Sequence, residues 1–217
     1  MTTPLIVFAK APRPGAVKTR LIPALGPAGA ARLHERLVDR TLATAAAAGL
    51  GPLELCGDPA SDPFLAARAA AHGATLTGQG PGDLGARMRR AFERVLASAQ
   101  AALAVGCDCP ALTAQHLREA SAALAAGHDA VLAPADDGGY VLIGLARVHS
   151  SLFERIRWGG PDVIEHTRAR LTGLGWRWLE LATLWDVDRP EDLARLATGI
   201  PEGARLLEGL ERQEQKP

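Results

Sequence analysis

The chain has 217 residues, 47% of them hydrophobic and 22% charged, with 24 Lys and Arg against 24 Asp and Glu. This length suffices for one domain over 1–210, burying a core between a sheet and its helices, followed by a flexible polar tail at 211–217. Balanced charge creates no global field toward nucleic acid or an anionic membrane, and no apolar run is long enough to span a bilayer, so neither is an expected partner and the chain reads as cytoplasmic.

The first apolar run, residues 4–9, is rich in β-formers and stops at a Pro-, Gly- and Lys/Arg-dense segment, which predicts a buried strand and then a loop. Residues 27–48 follow with helical spacing, Leu33, Leu37, Val38, Thr41 and Leu42 on one side and Gly49 as the stop. The alternation repeats with a strand at 52–56, a helix at 62–72, a strand at 74–77 and a helix from Asp83 to about Gln100. A strand at 101–107, a helix at 113–126 and a strand at 130–133 continue it.

This rhythm predicts an α/β fold, a three-layer Rossmann-like sandwich with a mixed, mainly parallel sheet. Residues 140–145 form a further strand that leaves no room for a crossover helix after residue 133, so it runs antiparallel to a neighbour or at a sheet edge. A helix at 162–171, a strand at 176–181 and a helix from Pro190 end the chain. Cys56, Cys107 and Cys109 lack the spacing of a zinc site and read as reduced thiols.

Ligands of such sheets bind beyond the carboxyl ends of the strands, which directs attention to the segments that follow them. After the first strand, Lys10, Arg13, Lys18 and Arg20 stand in a loop shaped by Pro and Gly15. Point charges and planar guanidinium forks together suit the oxygens of a di- or triphosphate. The loop lacks the glycine spacing of a P-loop, and a solvated basic loop is the plainer reading.

After the strand at 101–107, Asp108 can hold Mg²⁺ with one further carboxylate, or can cap loop amides. Asp136, Asp137, Gly138, Gly139 and Tyr140 allow close backbone approach to a ligand, or form an Asp-Gly turn between strands. After the last strand come Asp186 and Asp188. A helix start at Pro190 explains Asp188 as a cap and places Glu191 and Asp192 at the positive helix end, leaving Asp186 without a structural role. Gly82, Asp83 and Gly85 form a turn into a helix that can contact a base or ribose, although capping accounts equally well for Asp83. The four tryptophans read as packing, and no histidine or serine has metal-ligand or nucleophile spacing.

Together and in this order, FAKAPRPGAVKTRL, GDLGARM, GCDCPAL, DGGYVLIGL and DVDRPEDL resemble the glycosyltransferase-like proteins of the nucleotide-diphospho-sugar transferase superfamily. They are similar, more distantly, to phospholactate and molybdenum-cofactor guanylyltransferases. The likeness runs from about residue 5 to residue 196. It implies a GT-A-like fold in which the early basic loop binds a nucleoside triphosphate through Lys10, Lys18 and Arg20, Asp108 holds the metal, and Asp186 or Asp188 adds a carboxylate.

The nucleotide-binding set expected on these grounds is Ala9, Lys10, Arg13, Gly15, Gly82 and Gly85. Lys18 and Arg20 are the expected catalytic cations, and Asp137, Gly138, Gly139 and Tyr140 the acceptor side. Asp108, Asp186 and Asp188 are the expected ligands of Mg²⁺ or Mn²⁺. Glycosyltransferases of this fold carry Asp-x-Asp after the fourth strand, where this chain has Asp-Cys-Pro, and that difference favours nucleotidyl transfer from a triphosphate to a small-molecule acceptor. A glycosyltransferase using a nucleotide sugar and a non-catalytic nucleotide-binding regulatory module are the alternatives.

Overall fold

The computed structural model describes residues 2–210; the expected tail at 211–217 lies outside the described residues. Seven strands form one sheet: β1 (Leu5–Lys10), β2 (Leu53–Asp58), β3 (Thr75–Gly78), β4 (Ala102–Val105), β5 (Ala130–Pro134), β6 (Tyr140–Leu145) and β7 (Trp178–Glu180). Their spatial order is β3-β2-β1-β4-β6-β5-β7. All neighbouring pairs are parallel except those of β6, which runs antiparallel to both β4 and β5. The short connection into residues 140–145 therefore produces an antiparallel strand, and one inside the sheet rather than at its edge.

Along β1 the side chains alternate as a strand requires. Leu5, Val7 and Ala9 enter one core, which also holds Val38, Leu42, Leu65, Leu117 and Leu124 from α1 (Ile22–Ala48), α2 (Pro63–Ala71) and α4 (Ala114–Ala125). Ile6 and Phe8 face the opposite core, built with Met88 and Phe92 of α3 (Leu84–Leu96) and Ile164 and Leu171 of α5 (Val163–Gly173). A third cluster joins Leu21, Leu33 and Leu37 to Trp185, Val187 and Leu196, packing α6 (Asp192–Gly199) and α7 (Gly203–Leu207) against α1.

The helix over Ile22–Ala48 is interrupted at Gly26, whose φ of 68° is non-helical, so its main body starts at Pro27 and closes on left-handed Gly49. Asp62, Asp83 and Thr113 cap α2, α3 and α4 through side-chain acceptance of Phe64, Ala86 and His116 amides. Three elements are shorter than the periodicity suggests: α3 stops at Leu96, β4 at Val105, and β7 covers only Trp178–Glu180. Gly106, exposed, keeps a single long bond to Val141 O of β6, and Trp176, packed in the second core, lies before the first β5 partner of β7.

The final helix differs in a way that matters for the site. α6 begins at Asp192, and Asp188 does not cap it. Instead the Asp192 carboxylate turns back and accepts the amides of Asp188 and Arg189 at 2.9 and 2.7 Å. Asp188 is thereby left free to project elsewhere.

Candidate active site

Between β1 and β4 the chain order reverses, since β1 connects onward to β2 on one side and β4 lies on the other. Ligand crevices of open α/β sheets lie at this reversal, beyond the carboxyl ends of the strands. A cleft of about 510 Å³ occupies that position, lined among others by Ala9, Lys10, Lys18, Arg20, Asp108, Asp137 and Asp188.

The floor of the cleft is fixed by three side chains from different elements, each satisfying one of three successive carbonyls at the end of β1. The Cys107 thiol donates to Phe8 O, Gln79 Nε2 to Ala9 O at 3.0 Å, and His34 Nε2 to Lys10 O at 3.0 Å. Gln79 also donates to Cys56 O and accepts from Arg87, which pairs with Asp58 at 2.6 Å. Burial is the main cause that lowers the His34 pKa, so the imidazole is neutral at pH 7.

Lys18 sits at the centre. Its Nζ lies 2.6 Å from Asp108 Oδ1 and 2.8 Å from Asp188 Oδ1, and donates to Val187 O at 2.5 Å. The two acidic loops are also joined directly, Val187 N–H donating to Asp108 O at 2.9 Å. Two N–H groups of Arg40 on α1 anchor the Asp108 loop through Pro110 O.

Burial opposes charging of Lys18, but the two carboxylates outweigh it and hold the ammonium above its ordinary pKa. Burial likewise opposes ionisation of Asp108, and the Lys18 ammonium outweighs it, so this carboxyl lies below the usual range. Asp186 makes no ion pair among the described residues, and the pull of Lys18 on it is the weaker influence. Burial, reinforced by the negative charge of Asp108, pushes its carboxyl up to about 8.

Lys10 and Arg20 are exposed on the cleft and, among the described residues, have no carboxylate within ion-pairing distance. They are available to an anion. Asp108 and Asp188 converge on one cation, the ammonium itself, with hard oxygen donors at 46% and 40% side-chain exposure. That donor set fits Mg²⁺ or Mn²⁺, which needs only one or two protein carboxylates when phosphate oxygens and water fill its other positions. Among the described residues no three His, Cys, Asp or Glu side chains make a complete metal cage.

A family model described as "Uncharacterized protein conserved in bacteria (DUF2064)" matches residues 41–160, more than half of the 217. The chain belongs to this family. The matched region includes Asp108 and Asp137, whereas Lys18 and Asp188 come from outside it. No curated protein matches.

Among solved structures, a protein of Desulfovibrio desulfuricans G20 provisionally described as a nucleotide-diphospho-sugar transferase is 29% identical, with a TM-score of 0.84 over 95% of this chain and 94% of that one. Rv0371c of Mycobacterium tuberculosis H37Rv, solved with manganese, is 22% identical at TM-score 0.56, covering 92% of this chain and 100% of that one. A cytidylyltransferase of Leptospira borgpetersenii is 13% identical at TM-score 0.60, covering 96% and 93%. The fold of the family member described here is thus the GT-A-like, Rossmann-type sandwich of nucleotidyl- and sugar-transferring enzymes.

Other expected site residues stand apart from the cleft lining. Arg13 reaches toward Asp62 at 3.9 Å, and Gly15, with φ of 81°, makes a turn of the basic loop. Gly82 precedes the Asp83 cap and gives its carbonyl to Arg87. At Gly85 a Cβ would meet Phe153 O at 2.3 Å and Trp158 Nε1 at 2.6 Å, so packing alone already requires a glycine there.

On the expected acceptor side, Asp137 lines the cleft and accepts the Gly139 amide at 2.9 Å, forming the Asp-Gly turn. The close backbone approach at Gly138 is to Pro161, whose oxygen lies 1.9 Å from a built Cβ. Tyr140 packs edge-on against Trp158 with its hydroxyl on Met88 Sδ, and burial raises its pKa. His34 and Gln79 carry no motif as a helix-face histidine and a loop glutamine, and Cys107, although inside GCDCPAL, reads in sequence only as a reduced thiol.

Among the described residues, all three cysteines are free and buried. No helix among them is long and apolar enough to cross a membrane.

Proposed function

We propose that the protein is a metal-dependent nucleotidyltransferase, moving a nucleoside monophosphate from a nucleoside triphosphate to a small phosphorylated or hydroxyl acceptor. The observation that carries this reading is the convergence of three cations, Lys10, Lys18 and Arg20, with the Asp108 and Asp188 carboxylates on one cleft at the chain reversal.

Asp108 and Asp188 would hold Mg²⁺ or Mn²⁺, with Asp186 adjacent. When bound, the ion would neutralise phosphate charge. Lys10 and Arg20 bind the polyphosphate and align it along the carboxyl edge of the sheet. The acceptor oxygen attacks the α-phosphorus, the bond to the bridging oxygen breaks, and pyrophosphate leaves with the electron pair while the acceptor proton passes to solvent. Lys18 and Arg20 offset charge that develops on the leaving oxygens. Catalysis on this reading is positioning and electrostatics, with no covalent enzyme intermediate. Asp137, which also lines the cleft, faces the acceptor on this reading.

The similarity to a structure described as a nucleotide-diphospho-sugar transferase favours a second reading in which the donor is a nucleotide sugar and a nucleoside diphosphate is released. A thermal-shift screen of the four nucleoside triphosphates and a panel of nucleotide sugars, with and without Mg²⁺ or Mn²⁺, separates the two. Saturating ligand at about 100 times Kd stabilises by about 2.7 kcal/mol. A metal-dependent shift with one triphosphate, followed by pyrophosphate release, supports nucleotidyl transfer; a shift confined to nucleotide sugars supports the second reading.

A further inference from the structure

A lysine ammonium has three N–H donors. Those of Lys18 face Val187 O, Asp108 Oδ1 and Asp188 Oδ1, and its side chain is only 2% exposed. The backbone that delivers it is left-handed, φ 47° and ψ 39°, a conformation unfavourable for a residue with a Cβ. The fold thus accepts both local strain and burial of a charge in order to seat a cation between two carboxylates. Lys10 and Arg20, on the same cleft, are held in no such way.

The seat coincides with the point on which Asp108 and Asp188 converge, the point at which the proposed function requires a divalent ion. An ammonium and a divalent cation repel too strongly at such range to share it. We propose that Lys18 is an exchangeable occupant of the Asp108–Asp188 pair: its ammonium closes the pair in the ligand-free protein, then yields the carboxylates to a divalent cation and passes to the phosphate oxygens of the nucleotide. This rests on the reading of the cleft as a metal–nucleotide site.

Two consequences follow from charge alone. A divalent ion arriving by itself must displace the ammonium from two carboxylates and a carbonyl into a cleft whose other lining carboxylate, Asp137, already accepts the Gly139 amide, so it binds weakly. A metal–triphosphate complex supplies the carboxylates with a new cation and the lysine with a new anion in one event. Metal and nucleotide are therefore coupled through one side chain, and the coupling is reciprocal.

The test is a Mn²⁺ titration, followed by electron paramagnetic resonance, of nucleotide-free wild type and Lys18→Met. Removal of the competing ammonium is expected to tighten Mn²⁺ binding by roughly tenfold or more, within the range of single-site couplings, while weakening binding of a metal-free, non-hydrolysable triphosphate. Unchanged or weaker Mn²⁺ binding by the variant overturns the exchange.

Wild-type protein provides a second measurement that needs no variant. The sequence contains only three lysines, Lys10, Lys18 and Lys216, so a nitrogen-resolved spectrum of lysine ammonium groups is simple to assign. Saturating Mg²⁺ alone is expected to shift or broaden away the Lys18 signal; bound Mg²⁺ with that signal unmoved overturns the proposal. The two readings also fail differently. If wild type takes up no Mn²⁺ with or without triphosphate, the metal-dependent function falls and the exchange with it. If it binds the metal–triphosphate complex but Lys18→Met shows no tightening, the exchange alone falls.

Discussion

Lys18 Nζ lies 2.6 Å from Asp108 Oδ1, so the loop leaving β1 and the loop leaving β4 meet at a single ion pair across the chain reversal of the sheet. Replacing Asp108 with Ala removes one side of this pair without orphaning the other, because Lys18 keeps Asp188 and Val187 O. The expected result is loss of metal-dependent turnover with the fold intact. Pyrophosphate release and circular dichroism check it together, and a folded, fully active Asp108→Ala protein sinks the metal assignment.

A second prediction concerns a residue that touches neither metal nor nucleotide on the proposed reading. Asp192 accepts the amides of Asp188 and Arg189, which fixes the turn that points Asp188 at Lys18. Asp192→Ala frees that turn. Groups that orient a metal-binding carboxylate typically contribute 10- to 100-fold in metal affinity, so the apparent Kd for Mn²⁺ in the presence of nucleotide is expected to rise by about tenfold. Asp192→Asn, which keeps one acceptor oxygen, should recover part of this loss; equal affinity in all three proteins would show that the turn holds itself.

The Asp188–Asp192 arrangement also shows where sequence reasoning stops. Strand–helix alternation, the caps at Asp83 and Thr113, and the placement of Lys18 and Asp108 beyond strand ends all follow from local signals, because period and capping are properties of neighbouring residues. That the Asp188 carboxylate meets Lys18 instead of capping α6 involves a partner 170 positions away in sequence. Gln79 and His34 belong to the site only because two carbonyls at the end of β1 take donors from the loop beyond β3 and from α1. Tyr140 lies beside a promising motif, yet its ring belongs to the core. Tertiary competition decided each of these.

The glycines of the Asp136–Tyr140 segment supply a third prediction. At Gly138, φ is 89° and a Cβ would stand 1.9 Å from Pro161 O, a backbone atom that cannot rotate away. Gly138→Ala therefore combines left-handed strain with a steric clash, and a loss of about 3 kcal/mol or more in unfolding free energy is expected. Gly15 is the control. Its φ is 81° but nothing lies within 4 Å of a Cβ, so Gly15→Ala should cost only about 1 to 2 kcal/mol. Urea denaturation of the two variants distinguishes clash from strain, and equal losses would mean that the Pro161 contact is not tight in solution.

The fourth prediction is a pH dependence located away from the cleft. Asp39 on α1 accepts from His72 Nε2 at 2.8 Å and Arg68 Nη1 at 3.2 Å, tying α1 to α2 and the residue that closes it. Burial opposes ionisation of Asp39, but the hydrogen bonds from His72 and Arg68 outweigh it and hold the carboxyl below its ordinary value. A carboxyl depressed in the folded state contributes stability that is fully present above its unfolded pKa, near ~4, and that disappears as pH falls through the folded value. Asp39→Asn should therefore lower the urea midpoint at pH 7, and its deficit relative to wild type should shrink as the pH is taken from about 5 to about 3. The deficit is expected to be small, because Asp39 is half exposed and solvent screens the pair. A deficit that stays constant over this range would assign the contact to packing rather than to charge.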